Sequence, residues 1–201
     1  MDMMGNFDYL VDFGQRSGMF HVRETRTPLA STNDKLPRGM VDTGLPVLAL
    51  IFYPALRTDY EMRCEGVTQW NNHPAWVVYF RQIKGKRPRT ASIATPTQLY
   101  PISLKGRAWI AADSGQVLHL ETNLMRSIPV IGLEENAFSV DYGPVKFQSQ
   151  DVEIWLPQFA VGYTDYAKHR MITEHTYSDF QLFSVQTQET IQKPSELRSE
   201  Q

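Results

Sequence analysis

The segment 102–121 constrains the fold more than any other part of the chain, because it has the pattern of a β-hairpin. Asp113, Ser114 and Gly115 suit a three-residue hairpin loop in which the glycine adopts the left-handed conformation and forms a bulge. A loop of defined length and type also determines which residues of the two strands face each other. The loop therefore predicts the register of the whole hairpin.

This register gives the hairpin one apolar face and one mixed face. A two-stranded hairpin is marginally stable at best in water, so we expect it to belong to a larger antiparallel sheet whose apolar face is covered. The predicted pairs are Ile110 with Leu118 and Ala108 with Leu120 on the apolar face, and Trp109 with His119 and Arg107 with Glu121 on the mixed face.

The same alternation of apolar and polar residues recurs along the chain and predicts a mainly β fold, arranged mostly as a meander. Residues 27–43 have the composition of a surface loop, and residues 188–201 that of a disordered polar tail. We therefore predict a single β-rich domain over residues 1–187. The other predicted strands lie within 7–13, 20–22, 60–67, 75–83, 138–147, 152–156 and 169–185.

The segment 43–53 is predicted to form one short helix. Thr43 can cap it, Pro46 suits its first turn and Pro54 ends it. A buried strand is the alternative, since periodicity does not distinguish the two in so short an apolar run. A helix that is apolar on nearly all sides must be buried, so we expect it to cover the apolar face of the sheet.

Composition limits the class of protein. A chain of 201 residues with 42% hydrophobic and 21% charged residues suits one globular domain. The formal net charge of -2 provides no overall attraction to nucleic acid or to an anionic membrane. The longest apolar run, 45–53, is too short for a transmembrane helix, and the N-terminus lacks the pattern of a signal peptide.

No sequence motif indicates a catalytic residue, a metal site or a cofactor, so we do not predict an enzyme. His169 and His175 are the best candidate metal ligands, but in a strand they would lie about 20 Å apart. The single cysteine, Cys64, lies in a strand pattern and is predicted to pack in the core. The basic segment 84–89 lacks interleaved aromatic residues and is predicted to be a solvated loop.

Four segments carry a family resemblance: the hairpin 104–121 with its Asp-x-Gly loop, and the runs 138–147, 154–157 and 177–180. In order and spacing they resemble outer-membrane lipoprotein-sorting proteins, the lipoprotein carrier and sigma-regulator-like group, in the form found in secreted acidobacterial proteins. The resemblance implies a strongly curved antiparallel sheet, an unclosed half-barrel with a short helix covering its concave face. It also implies a periplasmic or secreted location, and an N-terminal helix and strand that would precede this chain.

Two functions follow from the resemblance. The first is a non-catalytic lipid- or lipoprotein-binding carrier, which would hold an acyl chain or a lipidated protein in an apolar cavity. The second is a protein-interaction or sensor domain of the same fold with a filled core, and an enzyme is a distant third. Six residues are expected to line the cavity of the first, or to pack without voids in the second: Leu48, Ile51, Phe52, Met62, Val78 and Phe80.

Overall fold

The computed structural model describes residues 6–16, 19–29, 41–147 and 151–183, most of which lie in β-strands. Three short helical segments are also present among them: two 3-10 helices, Leu45–Phe52 and Pro129–Ile131, and the single-turn helix α1, Pro54–Arg57. The strands are β1 (Phe7–Arg16), β2 (Met19–Pro28), β3 (Val41–Thr43), β4 (Tyr60–Trp70), β5 (His73–Gln82), β6 (Ser92–Ala94), β7 (Leu99–Pro101), β8 (Leu104–Ala111), β9 (Val117–Leu124), β10 (Leu133–Phe147), β11 (Val152–Tyr166) and β12 (His169–Thr176).

The main sheet has seven antiparallel strands in the order β12-β11-β10-β9-β8-β5-β4. Strands that follow one another in the chain are mostly neighbours in this order, so the predicted antiparallel meander is confirmed. The sheet does not close into a barrel, and β4 and β12 form its two edges. Two small sheets accompany it, one formed by β1 and β2 and the other by β3, β6 and β7.

The hairpin 102–121 has the predicted left-handed glycine and most of the predicted register, but its loop has four residues, 112–115, instead of the predicted three, because Ala111 donates its N–H to the carbonyl oxygen of Gln116 over 2.8 Å. Gly115 has a φ of 71° and donates its N–H to the carbonyl oxygen of Ala111 over 2.9 Å. A bulge beside Ile110 shifts the register, so this residue pairs with Val117 instead of Leu118, and that predicted pair is wrong. The confirmed pairs are Ala108 with Leu120, Trp109 with His119 and Arg107 with Glu121.

The helix predicted over 43–53 is present as the 3-10 helix Leu45–Phe52, and it packs on the main sheet as expected. Its N-cap is Gly44, whose φ of 93° suits glycine, and not Thr43. The 3-10 helix ends before Pro54 as predicted, since Tyr53 is extended with a ψ of 138°, and Pro54 then begins the separate helix α1. The ring of Phe52 meets that of Phe80 edge to face, with centroids 5.8 Å apart.

Several local predictions are wrong. Strand β11 continues through Pro157, where we expected an end; a register shift next to this proline accommodates it within the strand. Strand β12 ends at Thr176 rather than near residue 185. Cys64 is exposed, because most of the edge strand β4 is exposed on both faces. Most of the predicted loop, residues 30–40, and the whole tail 188–201 lie outside the described residues.

Candidate functional site

The main sheet has two faces with different surroundings. The 3-10 helix covers the inner face, where the residues of the central row are fully buried. Because side chains alternate along a strand, their chain neighbours point to the outer face. Across β8 to β11 the inner row is Ala108, Leu120, Val140 and Ala160, and the outer row is Trp109, His119, Asp141 and Phe159.

The six residues predicted to contact a ligand lie at the inner face or in the helical segment that covers it. Five of them form or contact the hydrophobic core: Leu48, Ile51 and Phe80 are at most 2% exposed, and Phe52 and Met62 are partly buried. The sixth, Val78, is half-buried outside that cluster. A cavity beside Leu48 has a volume of about 10 Å³, which is room for one water molecule.

On the outer face, aromatic rings surround His119. Trp70 stacks on the imidazole with centroids 4.0 Å apart, and Trp109 meets it edge to face at 5.0 Å. Trp70 reaches this face because a bulge at Gly66 shifts the register of β4, which turns the following residues to the opposite side of the sheet. As a result, the side chain of His119 is only 5% exposed.

Polar groups contact both nitrogens of this imidazole. Asp141 Oδ1 lies 2.7 Å from Nδ1, and Ser139 Oγ lies 3.5 Å from Nε2. Glu121 Oε1 lies 3.8 Å from Nε2. A carboxylate, an imidazole and a hydroxyl group therefore follow one another in the order that serine hydrolases use.

The surroundings of Ser139 do not favour catalysis by this arrangement. Hydrolysis at a serine creates an oxyanion that must be stabilised by free hydrogen-bond donors. Strand β10 is paired on both sides at Ser139, so the sheet already uses the backbone N–H groups there. The charged side chains beside the imidazole are the half-exposed carboxylates of Glu121 and Asp141, which would repel an oxyanion. These carboxylates favour a positively charged group over an oxyanion.

An apolar strip lies beside this cluster on the outer face, and three of its four residues are exposed whereas Val161 is partly buried. Phe159, Val161 and Tyr163 alternate along β11, and Ile172 of β12 pairs with Tyr163. Tyr163 and Ile172 are 50% and 62% exposed, respectively. Contiguous exposed apolar side chains often mark an interaction site, whereas single ones are common on any protein surface. We refer to these four residues as the apolar strip.

Charge is unevenly distributed over the outer face. On the half formed by β4, β5 and β8, arginines pair with glutamates, as in Arg81 with Glu61 and Arg107 with Glu65, both at 2.7 Å. The hydrogen bond from Arg107 is the main reason why the pKa of Glu65 is lowered. The described residues of β9 to β12 place five carboxylates and one guanidinium on this face: Glu121, Glu135, Asp141, Asp165, Glu174 and Arg170. The apolar strip therefore lies in a negative field.

A second polar cluster is buried where β3 lies near β10. Asn136 Nδ2 donates hydrogen bonds to Asp42 Oδ1 over 2.8 Å and to Thr164 Oγ1 over 3.1 Å. Arg26 Nη2 donates to the carbonyl oxygen of Asp42 over 3.2 Å. Burial raises the pKa of Asp42 to about 6, although the hydrogen bond from Asn136 lowers it.

The two candidate metal ligands are not brought together. His169 and His175 lie near opposite ends of β12, where they pair with Tyr166 and Ala160. Within the part of the chain that the structure describes, no group of three or more His, Cys, Asp or Glu side chains is placed to bind a metal ion. The helices of that part are all too short or too polar to cross a bilayer.

Sequence reasoning located only part of the outer-face cluster. The predicted hairpin register placed Trp109 opposite His119, and that pair is the core of the site. Asp141 lies in β10, and the length of the connection 125–132 does not specify how β9 and β10 align. Its position beside His119 could therefore not be predicted. Trp70 was not predicted to lie in this cluster, because a single-residue bulge in β4 determines which face of the sheet its side chain occupies. Gly66, a glycine within a strand pattern, was the signal in the sequence that could have indicated this bulge.

Comparison with protein-family models, with curated proteins and with solved structures finds no match. The resemblance to lipoprotein-sorting proteins therefore remains a proposal. Its implied architecture is supported by the unclosed antiparallel sheet and by the helical segment on the inner face.

Proposed function

We propose that this chain is a protein-interaction domain with a filled core and that its outer face binds the partner. The observation that carries the proposal is the contrast between an inner face without ligand-sized space at Leu48 and an outer face with an exposed apolar strip. Protein interfaces are centred on well-packed aromatic and apolar anchors within a polar rim. Tyr163 and Ile172 are suitable anchors, and the surrounding carboxylates form such a rim. The proposal assigns no catalytic step to the domain.

A lipid- or lipoprotein-binding carrier of the same fold is the competing proposal. It is supported by the apolar inner face and by the half-barrel-like sheet. Pockets for small-molecule ligands usually measure roughly 300 to 1,000 Å³, whereas the cavity beside Leu48 has about 10 Å³. An acyl chain would have to displace the 3-10 helix from the sheet. For either function, the periplasmic or secreted location implied by the resemblance is part of the proposal.

Replacing Ile51 with tryptophan distinguishes the two functions. Ile51 is fully buried, so in a filled core the larger side chain should lower the free energy of unfolding by about 1 to 3 kcal/mol. Urea denaturation measures this change, and titration with a fluorescent fatty acid should show no uptake by the wild type. Leu99→Trp is the matched control at a position that is 55% exposed. Unchanged or increased stability of Ile51→Trp, together with fatty-acid uptake by the wild type, would favour the carrier.

Replacing Ile172 with serine tests the outer face. We expect this variant to retain the stability of the wild type but to recover its bound protein from cell extract about ten-fold less efficiently, as quantified by mass spectrometry after crosslinking. Val130→Ser is the matched control, because Val130 is 79% exposed but lies in a connecting segment outside the main sheet. An unchanged protein profile for Ile172→Ser, or an equal loss in the control, would contradict the proposed function.

A further inference from the structure

Each part of the apolar strip has a carboxylate as a neighbour on the outer face. Asp141 pairs with Phe159 across β10 and β11, and Glu174 pairs with Val161 across β11 and β12. Paired strands are about 4.8 Å apart, so these acidic and apolar side chains are adjacent. A partner that covers the strip must therefore also cover the carboxylates.

The described residues of β9 to β12 do little to neutralise this negative charge on the same face. Arg170 is engaged with Asp165, to which it donates hydrogen bonds of 3.0 and 2.8 Å. His119 is buried beneath Trp70 and cannot reach a partner on the strip. The open groove of about 480 Å³ that Asp165 and Arg170 line also contains Glu134 and Lys168, so its carboxylates and cations are equal in number.

Two of the carboxylates are also placed beside an aromatic ring. Asp141 and Glu121 both contact the imidazole of His119, on which Trp70 is stacked. The hydrogen bond from His119 to Asp141 orients that carboxylate before any partner arrives. Half-exposed carboxylates that are held in this way are a suitable environment for a guanidinium or ammonium group, which charge attraction stabilises.

We infer that the partner is a protein segment in which lysine or arginine side chains lie next to aliphatic or aromatic ones. The inference rests on the proposed function and specifies the chemistry of its partner. Apolar contacts with the strip would supply affinity, and charge complementarity would select against acidic partners and accelerate association. The same negative field repels the phosphates of nucleic acids and of anionic bilayers.

Three short peptides test this chemistry: one that alternates lysine and isoleucine, one with glutamate in place of lysine, and one with serine in place of isoleucine. Fluorescence anisotropy at low ionic strength measures the affinity of each peptide for the protein, and the affinity of the first peptide should be about ten-fold higher than that of either control peptide. Added salt should weaken its binding, since exposed charges are screened. Equal binding of the acidic peptide, or no binding of the basic apolar one at millimolar concentration, would overturn the inference.

Charge reversal on the protein gives the second arm of the test. Glu174→Lys should weaken binding of the basic apolar peptide about ten-fold, whereas Asp113→Lys makes the same charge change in the exposed hairpin loop and should leave it unchanged. Equal effects of the two variants would overturn the inference. If Ile172→Ser recovers less protein from cell extract than the wild type but the peptides show no charge preference, only the inferred partner chemistry is wrong. If Ile172→Ser recovers as much protein from cell extract as the wild type, the proposed function itself is wrong.

Discussion

Replacing Gly106 with alanine should lower the free energy of unfolding by at least about 3 kcal/mol, the largest effect that we expect from one added methyl group. Gly106 lies in β8, where it pairs with Phe80 of β5. A Cβ atom there would lie 1.9 Å from the backbone oxygen of Glu121 and 2.8 Å from Phe80 Cζ. The backbone oxygen cannot turn away, so β8 and β9 would have to separate.

The ring of Phe80 cannot retreat either. It is fully buried, and it meets the rings of Phe52 and Tyr60 edge to face at 5.8 and 6.0 Å. Urea denaturation followed by circular dichroism would measure the loss of stability. Gly143→Ala is the matched control in another strand, because its new methyl group would meet the flexible side chain of Gln158 at 3.0 Å. Small, equal effects at both positions would show that β8 and β9 are not so closely apposed.

Features that depend on neighbouring residues could be predicted from the sequence. The left-handed Gly115 could be predicted because the Asp-x-Gly sequence allows few turn geometries, and most of the hairpin register followed, although the loop length and the bulge beside Ile110 did not. The apolar run 45–53 had to be buried whatever its helix type, so its place on the sheet was predictable even though it is a 3-10 helix. Local patterning therefore yielded the fold class and the inner face.

Features that depend on distant parts of the chain could not be predicted in this way. The alternation of residues in β4 separates its two faces, but it does not show that β4 is an edge strand. Cys64 is exposed because β4 lies at the edge of the sheet. The acidic outer face likewise requires β10, β11 and β12 to align so that Asp141, Phe159 and Glu174 share one side. Each alignment follows from the packing of the whole sheet.

The candidate site shows the same division. The apolar residues expected around a cavity are at the inner face or in the segment covering it, since hydrophobic periodicity identifies the core side of a strand or helix. Whether such residues enclose a ligand or fill the core depends on side-chain packing at the scale of a single methylene group. The cavity of about 10 Å³ beside Leu48 is a property of the packed structure that no sequence pattern expresses.

Replacing Asp42 with asparagine should stabilise the protein at pH 8 by about 2 to 3 kcal/mol and have little effect near pH 4. Burial raises the pKa of Asp42 from 3.8 to about 6. A carboxyl group with a raised pKa contributes stability that is fully present below its unfolded-state pKa and is lost as the pH rises through its folded-state pKa. Above pH 6, the wild type therefore bears the cost of a buried charge.

Asparagine is uncharged over this whole range, and its side-chain oxygen can still accept the hydrogen bond that Asn136 donates to Asp42 in the wild type. The comparison should be the difference between variant and wild type, because a second buried group titrates with the opposite sign. Burial lowers the pKa of His175 to about 4, so its contribution to stability is lost as the pH falls from its ordinary value towards 4. This contribution is present in both proteins and cancels in the difference.

Urea denaturation of both proteins between pH 4 and 8 would measure this difference, with Asp113→Asn in the exposed hairpin loop as a control that should show no such pH dependence. A gain for Asp42→Asn that appears between pH 4 and 6 and levels off above pH 7 would match a carboxyl group whose pKa is about 6. A variant less stable than the wild type at pH 8 would contradict the prediction. In that case attraction between the ionised Asp42 and Arg26, which already donates a hydrogen bond to the Asp42 carbonyl oxygen, would exceed the cost of burial.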